Sequence, residues 1–141
     1  LKPVMSLRSR ILSVHDVPKG QAVGYGASWV AARNSRIAIA AVGYADGYPR
    51  SLPSDTTVSV DGSSGLLVGR VSMDKIAIDI TDSQLSRRTA IQTGDSVELW
   101  GNEVSIDTVA RSAGTISYEL LSQVTKRVPR TYSQTNRPVS P

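Results

Sequence analysis

A tyrosine between two glycines stands out in the stretch GYGASW (residues 24–29), which joins two runs typical of β-strands. Glycine permits positive φ and leaves the main chain bare, so that another chain or a ligand can approach closely. From such a turn Tyr25 could project its phenol, a hydrogen-bond donor and acceptor, into a neighbouring site. The alternative is that Tyr25 is a core aromatic residue and that the glycines permit a β-bulge.

The stretch VGYADGYPR (residues 42–50) repeats this arrangement, because Tyr44 and Tyr48 bracket the pair Asp46–Gly47. It directly follows an apolar run of strand length. Its polar groups therefore emerge at the end of a strand, where binding and catalytic sites are commonly built. The alternative is an Asp-Gly turn with two tyrosines that pack in the core.

A third stretch, GRVSMD, places two charged residues around a methionine. If this stretch is a strand, Arg70 and Asp74 share one side because they are four residues apart, and Met73 faces the other way. The alternative is a surface ion pair between Arg70 and Asp74, with Met73 in the core.

The fourth stretch, TISYEL, places Tyr118 at the start of a predicted helix. Main-chain amides at a helix start attract anions such as phosphate. The position of Tyr118 therefore favours contact with an anionic group.

The strands that must position these residues occupy the first two thirds of the chain, where β-branched residues and alternation dominate. The apolar run RIAIAAVGYA predicts a strand buried on both faces, and the pair Asp61–Gly62 predicts a hairpin turn. In KIAIDIT the three isoleucines fall on one face, with Ala77 and Asp79 on the other. Strands are predicted over SLRSRILSV, AVGYG, RIAIAAVGYA, TVSV, LLVGRV, KIAIDIT and DSVELWG.

Helices are predicted only in the last third of the chain. SIDTVARSAG has Ser105 at an N-cap position and Gly114 as its stop. SYELLSQVTKR has Ser117 as its cap. The residues of this second helix predicted to face inward are Leu120, Leu121 and Val124.

These elements predict a mainly β fold. It is a compact, mostly antiparallel β-domain, barrel-like or sandwich-like, with two short helices near its C-terminus. The domain is predicted to span residues 1–132. The polar tail over residues 133–141 carries prolines and is predicted to be disordered.

The composition, 40% hydrophobic and 20% charged, is that of an ordinary globular protein. The absence of a long apolar run and of a signal-peptide pattern argues against a membrane partner. Without cysteine there is no thiolate metal site, so we expect no metal. The absence of cysteine also favours a reducing compartment, so we expect a cytoplasmic location. Because the chain begins at Leu1 rather than at methionine, we expect it to be a piece of a longer protein.

The net charge of +4 rests on twelve arginines and four lysines against twelve acidic residues. The arginines are scattered along the chain, and only Arg87 and Arg88 are adjacent. A nucleic-acid binder uses a clustered basic stripe with interleaved aromatic residues. We therefore expect no nucleic-acid partner, and a solvated surface with a few ligand contacts instead.

Taken in order, GYGASW, VGYADGYPR, GRVSMD and TISYEL…RVPR closely resemble the C-terminal β-domain of alanine racemase. This pyridoxal-phosphate enzyme interconverts L- and D-alanine, and so supplies D-alanine for peptidoglycan. The resemblance covers the chain from about Leu1 to Tyr132. The opening LKPVMSLRSRI resembles the family's crossing from its N-terminal TIM-type barrel into the β-domain.

The resemblance implies a cofactor, pyridoxal 5′-phosphate, that is held by a lysine of the absent barrel. Lys2, Lys19, Lys75 and Lys126 do not match that lysine, so the fragment alone is expected to be inactive. The resemblance also implies a head-to-tail homodimer, in which the β-domain of one subunit covers the barrel of the other.

By the same matching, Tyr25 is the acid/base on one face of the substrate, and the cofactor lysine acts on the other. The main-chain N–H of Met73 is implied to bind the substrate carboxylate, and Tyr118 to bind the cofactor phosphate. Tyr44 and Tyr118 are implied to narrow the entrance. The outer corridor of the entrance is matched by Arg50, Arg70, Asp74 and Ile116.

A narrow entrance favours alanine, since a larger side chain would clash with the tyrosine rings. A racemase for serine or for several amino acids would keep the same machinery and remains an alternative. A different class of alternative is a stand-alone basic β-domain that binds nucleic acid.

Overall fold

The computed structural model describes residues 5–24, 26, 28–85 and 89–132. Within these ranges the chain is mainly β, as its alternating pattern predicts. The strands are β1 (Leu7–Val17), β2 (Ala22–Val23), β3 (Trp29–Val30), β4 (Ser35–Ala40), β5 (Thr57–Val60), β6 (Ser63–Val68), β7 (Ile76–Asp79) and β8 (Ser96–Trp100). The helices are α1 (Thr81–Leu85), α2 (Ile106–Ala113) and α3 (Ser117–Gln123), and a 3-10 turn covers Tyr44–Asp46.

Six of these strands close into a barrel in the order β1-β4-β7-β6-β5-β8, and β8 pairs again with β1. Every pairing in the barrel is antiparallel. The prediction of a compact antiparallel β-domain is therefore confirmed, and the form is a barrel. Closure leaves no free edge in this sheet. The barrel interior is filled by fully buried side chains that include Val58, Leu67, Ile76, Ile78, Leu99 and Trp100.

Strand β4 is buried on both of its faces, as its apolar run predicts. Ala38 and Ala40 belong to the barrel interior, whereas Ile37 belongs to a second apolar cluster outside the barrel. The small antiparallel hairpin β2–β3 covers this second cluster, with Val23 and Trp29 packed against it. The hairpin that contains GYGASW is therefore fixed to the outer face of the barrel.

Two shorter predictions are also confirmed. Asp61 and Gly62 form the turn between β5 and β6, with φ of 49° and 85°, as a tight hairpin requires. The face of β7 that carries the isoleucines is the buried one, because Ile76 and Ile78 are almost fully buried, as is Ile80 just after the strand.

The strand predicted through GRVSMD is wrong. Strand β6 ends at Val68, and residues 69–75 form a loop before β7. Gly69 has a φ of 69°, a left-handed conformation that ends the strand. Likewise β4 ends at Ala40, so that residues 42–50 lie in a loop and a 3-10 turn rather than in a strand.

Helix α2 lies where it was predicted, with Ser105 at its N-cap position and Gly114 in the left-handed conformation at its C-cap. Helix α3 begins at Ser117, so its cap position is Ile116 rather than Ser117. Its buried residue is Leu120, and Val124 just after it is also buried, but Leu121 is exposed, contrary to prediction. The short helix α1 was not predicted at all.

Among the described residues, none of the helices has the length and apolar character needed to cross a membrane. The predicted disordered tail, residues 133–141, lies outside the described residues.

Candidate active site

The loops that carry VGYADGYPR and GRVSMD lie at the same end of the barrel. Ala40 at the end of β4 pairs with Ile76 at the start of β7. Val68 at the end of β6 pairs with the next residue of β7, Ala77. The loops then bond directly. The main-chain N–H of Tyr44 donates to the carbonyl of Ser72 (3.0 Å), and that of Ala45 donates to the carbonyl of Met73 (2.9 Å).

Two glycines make this close approach possible. A Cβ on Gly43 would overlap the carbonyl oxygens of Ser72 and Met73. A Cβ on Gly47 would overlap the Gln123 carbonyl at the end of α3, and Gly47 also has a φ of 106°. The turn over residues 43–47 therefore packs tightly between the GRVSMD loop and the C-terminal end of α3, the helix that carries Tyr118.

The GYGASW hairpin meets the GRVSMD loop at Gly69. An added Cβ on Gly69 would lie 3.0 Å from the Ser28 Oγ, and the Gly69 N–H donates to the Ser54 Oγ at 2.9 Å. Gly24 and Gly26 have φ values of 88° and 66°, the positive φ that the sequence predicts. Tyr25 itself lies outside the described residues, so its predicted role as acid/base stays a prediction.

The residues predicted to contact the substrate or the cofactor phosphate are not core residues. Met73 is 52% exposed, Tyr44 39% and Tyr118 80%, although each is large and apolar enough to be buried. The alternative that Met73 is a core residue is therefore wrong. The main-chain N–H of Met73 has no hydrogen-bond partner in the part of the chain that the structure describes, and it is available to an acceptor.

The two tyrosines of VGYADGYPR have different environments. Tyr48 is 1% exposed, and its ring centroid lies 6.4 Å from that of Trp100. Burial raises the pKa of the Tyr48 phenol well above its usual range, so this group stays protonated. The alternative of a core-packing tyrosine is right for Tyr48 and wrong for Tyr44.

The predicted corridor residues are all exposed. The Arg50 guanidinium lies 5.1 Å from the centroid of the Tyr44 ring, a cation–π contact. Arg70 and Asp74 are exposed, and no ion pair joins these two described residues. Ile116 is 65% exposed at the start of α3.

An ion pair at this site was not predicted. The Arg127 Nε lies 3.3 Å from the Asp46 Oδ1, and the Asp46 Oδ2 accepts the Gly43 N–H at 2.9 Å. Both residues belong to quoted stretches, ADG and RVPR. However, their 81-residue separation gives the sequence no local signal that they meet.

Two grooves on the described part of the chain lie elsewhere. One, of about 490 Å³, is lined by Asp16, Arg36 and Thr81 near the opposite end of β4. The other, of about 160 Å³, is lined by Arg8, Glu98 and Glu103. Neither is lined by residues of the four stretches.

The fold is thus a closed antiparallel barrel with Tyr44, Met73 and Tyr118 exposed on it. The sequence shows which family of domains this is. Over residues 4–132 it matches the family of the alanine racemase C-terminal domain, and the chain belongs to that family.

Relatives and solved structures agree with this assignment. The chain is 55% identical to the alanine racemase of Stutzerimonas stutzeri over 94% of its own length and 36% of that protein. The crystal structure of the biosynthetic alanine racemase of Pseudomonas aeruginosa superposes with a TM-score of 0.87 at 52% identity, covering 94% of this chain and 36% of that one. The structure of the Bartonella henselae alanine racemase, which holds covalently bound pyridoxal phosphate, superposes with a TM-score of 0.82 at 34% identity. It covers 91% of this chain and 34% of that one. The chain thus spans about a third of the length of these relatives.

Proposed function

We propose that this chain is the C-terminal part of an alanine racemase, an isomerase that interconverts L- and D-alanine with pyridoxal phosphate. The observation that carries the proposal is the continuous surface described above. On this surface the hairpin, the GRVSMD loop, the 43–47 turn and α3 are joined by direct contacts. We propose residues 1–132 as the domain, with the tail 133–141 outside it.

Racemisation removes a proton from Cα on one face of the substrate and returns a proton on the other face. The protein must therefore supply one acid/base to each face. We propose Tyr25 for one face, because it lies between the positive-φ residues Gly24 and Gly26. The group for the other face comes from the part of the protein that precedes this chain.

The substrate carboxylate is proposed to bind the Met73 N–H. A main-chain N–H that is unpartnered in the folded domain forms a charge-assisted hydrogen bond with a carboxylate at little cost. The side chain of Met73 matters less in this role than the position of its backbone.

The donors at the start of α3 fit the phosphate of pyridoxal phosphate. The phenol of Tyr118 is a hydrogen-bond donor on a side chain that is 80% exposed. When bound, the cofactor delocalises the negative charge left at Cα. By the resemblance, none of the described lysines matches the lysine that attaches the cofactor: Lys19 lies in a turn, Lys75 at the end of the loop 69–75, and Lys126 after α3. We infer that the lysine lies in the rest of the protein.

The entrance is proposed to be narrowed by Tyr44 and Tyr118. The contact between Arg50 and the Tyr44 ring supports a fixed position for that ring. Arg50, Arg70, Asp74 and Ile116 would line the outer corridor. A narrow entrance favours alanine over serine, although serine uses the same chemistry.

The exposed apolar side chains support a partner surface. Met73, Tyr44, Ile116 and Tyr118 would be unusual together on a free surface. We propose that the second subunit of a head-to-tail homodimer covers them. A cytoplasmic location remains a prediction that rests on the absence of cysteine.

The experiment uses the full-length protein, purified and loaded with pyridoxal phosphate, and follows L-alanine by circular dichroism. We expect loss of optical activity with alanine, slower loss with serine, and none with this chain alone. A loaded full-length protein that leaves L-alanine unchanged would refute the proposal. Equal or faster turnover of serine would replace alanine by serine as the substrate. Filter binding to nucleic acid, titrated with salt, tests the other class of function.

A further inference from the structure

Asp46 uses both of its carboxylate oxygens within the candidate site. Its Oδ2 accepts the Gly43 N–H at 2.9 Å, which closes the turn onto itself. Its Oδ1 lies 3.3 Å from the Arg127 Nε, in the segment that follows α3. The Asp46 side chain is only 13% exposed, so water screens these contacts less than it would screen a surface pair.

The segment that holds Asp46 is itself fixed. The Thr125 N–H donates to the Asp46 carbonyl at 3.1 Å, and the Thr125 Oγ1 donates to the Ala45 carbonyl at 2.8 Å. The Arg130 guanidinium donates to the carbonyl of Val124 at 3.1 Å. Residues 124–130 are thus bonded to each other and to the turn, and both arginines of RVPR take part: Arg127 pairs with Asp46, and Arg130 donates to Val124.

On its other side the turn holds the groups proposed to bind and select the substrate. Tyr44 and Ala45 donate to the carbonyls of Ser72 and Met73, and Gly43 lies too close to those carbonyls to leave free space. A shift of the turn therefore shifts the Met73 backbone and the Tyr44 ring together.

We propose that Asp46, held by Arg127, is a positioning residue that sets the place of the Met73 N–H and the Tyr44 ring. The inference rests on the proposed function. Asp46 itself does not touch the substrate. If the ion pair is broken, the carboxylate-binding N–H and the entrance lose their fixed geometry, so binding weakens more than the chemical step does.

The test compares Asp46→Asn, Arg127→Gln and the double variant in the full-length protein loaded with pyridoxal phosphate. The probe is propionate, which is alanine without its amino group, and its dissociation constant is measured by calorimetry. We expect each single variant to weaken propionate binding about three- to tenfold, the range for one lost hydrogen bond. KM for alanine should rise by a similar factor, with kcat changed less than twofold, and the double variant should resemble the singles.

The matched control is Asp82→Asn, which makes the same chemical change in the exposed Arg33–Asp82 pair (2.9 Å) near the start of β4. It should leave propionate binding and KM unchanged. A lower melting temperature in the Asp46 and Arg127 variants with unchanged propionate binding and KM would overturn the positioning role. Additive effects of the two substitutions would also overturn it. If wild type binds propionate but does not racemise alanine, the proposed function fails while the propionate comparison still tests the positioning of the N–H.

Discussion

The guanidinium of Arg50 lies over the ring of Tyr44, 5.1 Å from its centroid, at the surface where the substrate is proposed to enter. Tyr44 is 39% exposed, so the contact lies at the protein surface. A cation over an exposed aromatic ring contributes about 0.5–1 kcal/mol. The contact is thus strong enough to bias the position of the ring.

We expect Arg50→Gln in the full-length protein to relax the preference for alanine. Because the Tyr44 ring moves more freely, the ratio of kcat/KM for alanine to that for serine should fall about two- to fivefold. The measurement is that ratio, with Arg33→Gln as the control on a distant exposed arginine. An equal fall in both variants would show that the Arg50–Tyr44 contact does not control specificity.

Substitution by alanine is expected to lower the free energy of unfolding by different amounts at Gly43 and at Gly114. Gly43→Ala places a Cβ onto the Ser72 and Met73 carbonyls, and we expect a loss of roughly 3 kcal/mol in the free energy of unfolding, the upper range for overpacking. Gly114→Ala meets no atoms but must adopt a φ of 76°, and should cost only about 1 kcal/mol.

The free energy of unfolding of both variants is measured by denaturant unfolding followed by circular dichroism. Substitution of each glycine by asparagine is the internal control. Asn tolerates the left-handed conformation, so Gly114→Asn should recover much of the stability, whereas Gly43→Asn should not. In the full-length protein only the Gly43 variants should raise KM for alanine. Equal costs at the two positions would contradict the close approach of the two loops.

The buried phenol of Tyr48 is expected to make the folded protein less stable at alkaline pH. Because burial raises the pKa of its phenol above that of the unfolded chain, its contribution is fully present below about pH 10 and is lost as pH rises from there. Its hydroxyl is buried and has no hydrogen-bond partner among the described residues. We therefore expect Tyr48→Phe to keep or raise the free energy of unfolding at pH 7, by up to about 1 kcal/mol.

The measurement is the free energy of unfolding at pH 8 and pH 11. Wild type should lose stability between them, and Tyr48→Phe should lose less. Tyr132→Phe removes an exposed phenol and should behave as wild type does. The same loss in all three proteins would mean that other groups set the alkaline limit.

The sequence predicts an element correctly where neighbouring residues alone determine its conformation and its buried faces. The run around Ile37 and Ala38 predicts a strand buried on both faces, and the hairpin and the barrel interior supply those two environments. The Asp61–Gly62 turn and the Gly114 stop follow from backbone conformations that few residues adopt.

Prediction from the local sequence pattern fails where contacts between residues far apart in the chain determine the structure. Residues 69–75 alternate as a strand would, yet Gly69 turns the chain so that its next residues meet the 43–47 turn. Leu121 was predicted inward from spacing alone, but α3 is only seven residues long and buries one narrow face. The Asp46–Arg127 pair joins residues 81 positions apart, a contact that no local periodicity can indicate.

Tyr25 is the residue whose substitution tests the chemistry most directly. In the full-length protein, Tyr25→Phe keeps the ring and removes only the oxygen that carries the proton. Loss of a positioned acid/base costs ~10² to 10⁴ in rate, while binding of pyridoxal phosphate, followed by its absorbance, should change little. The loss should depend on the enantiomer. Deuterium uptake at Cα from L-alanine should fall most, because the family resemblance implies that Tyr25 removes the proton of the L-enantiomer, and uptake from D-alanine should survive better. Equal loss from both enantiomers with the cofactor still bound would assign Tyr25 a structural role and favour the β-bulge alternative.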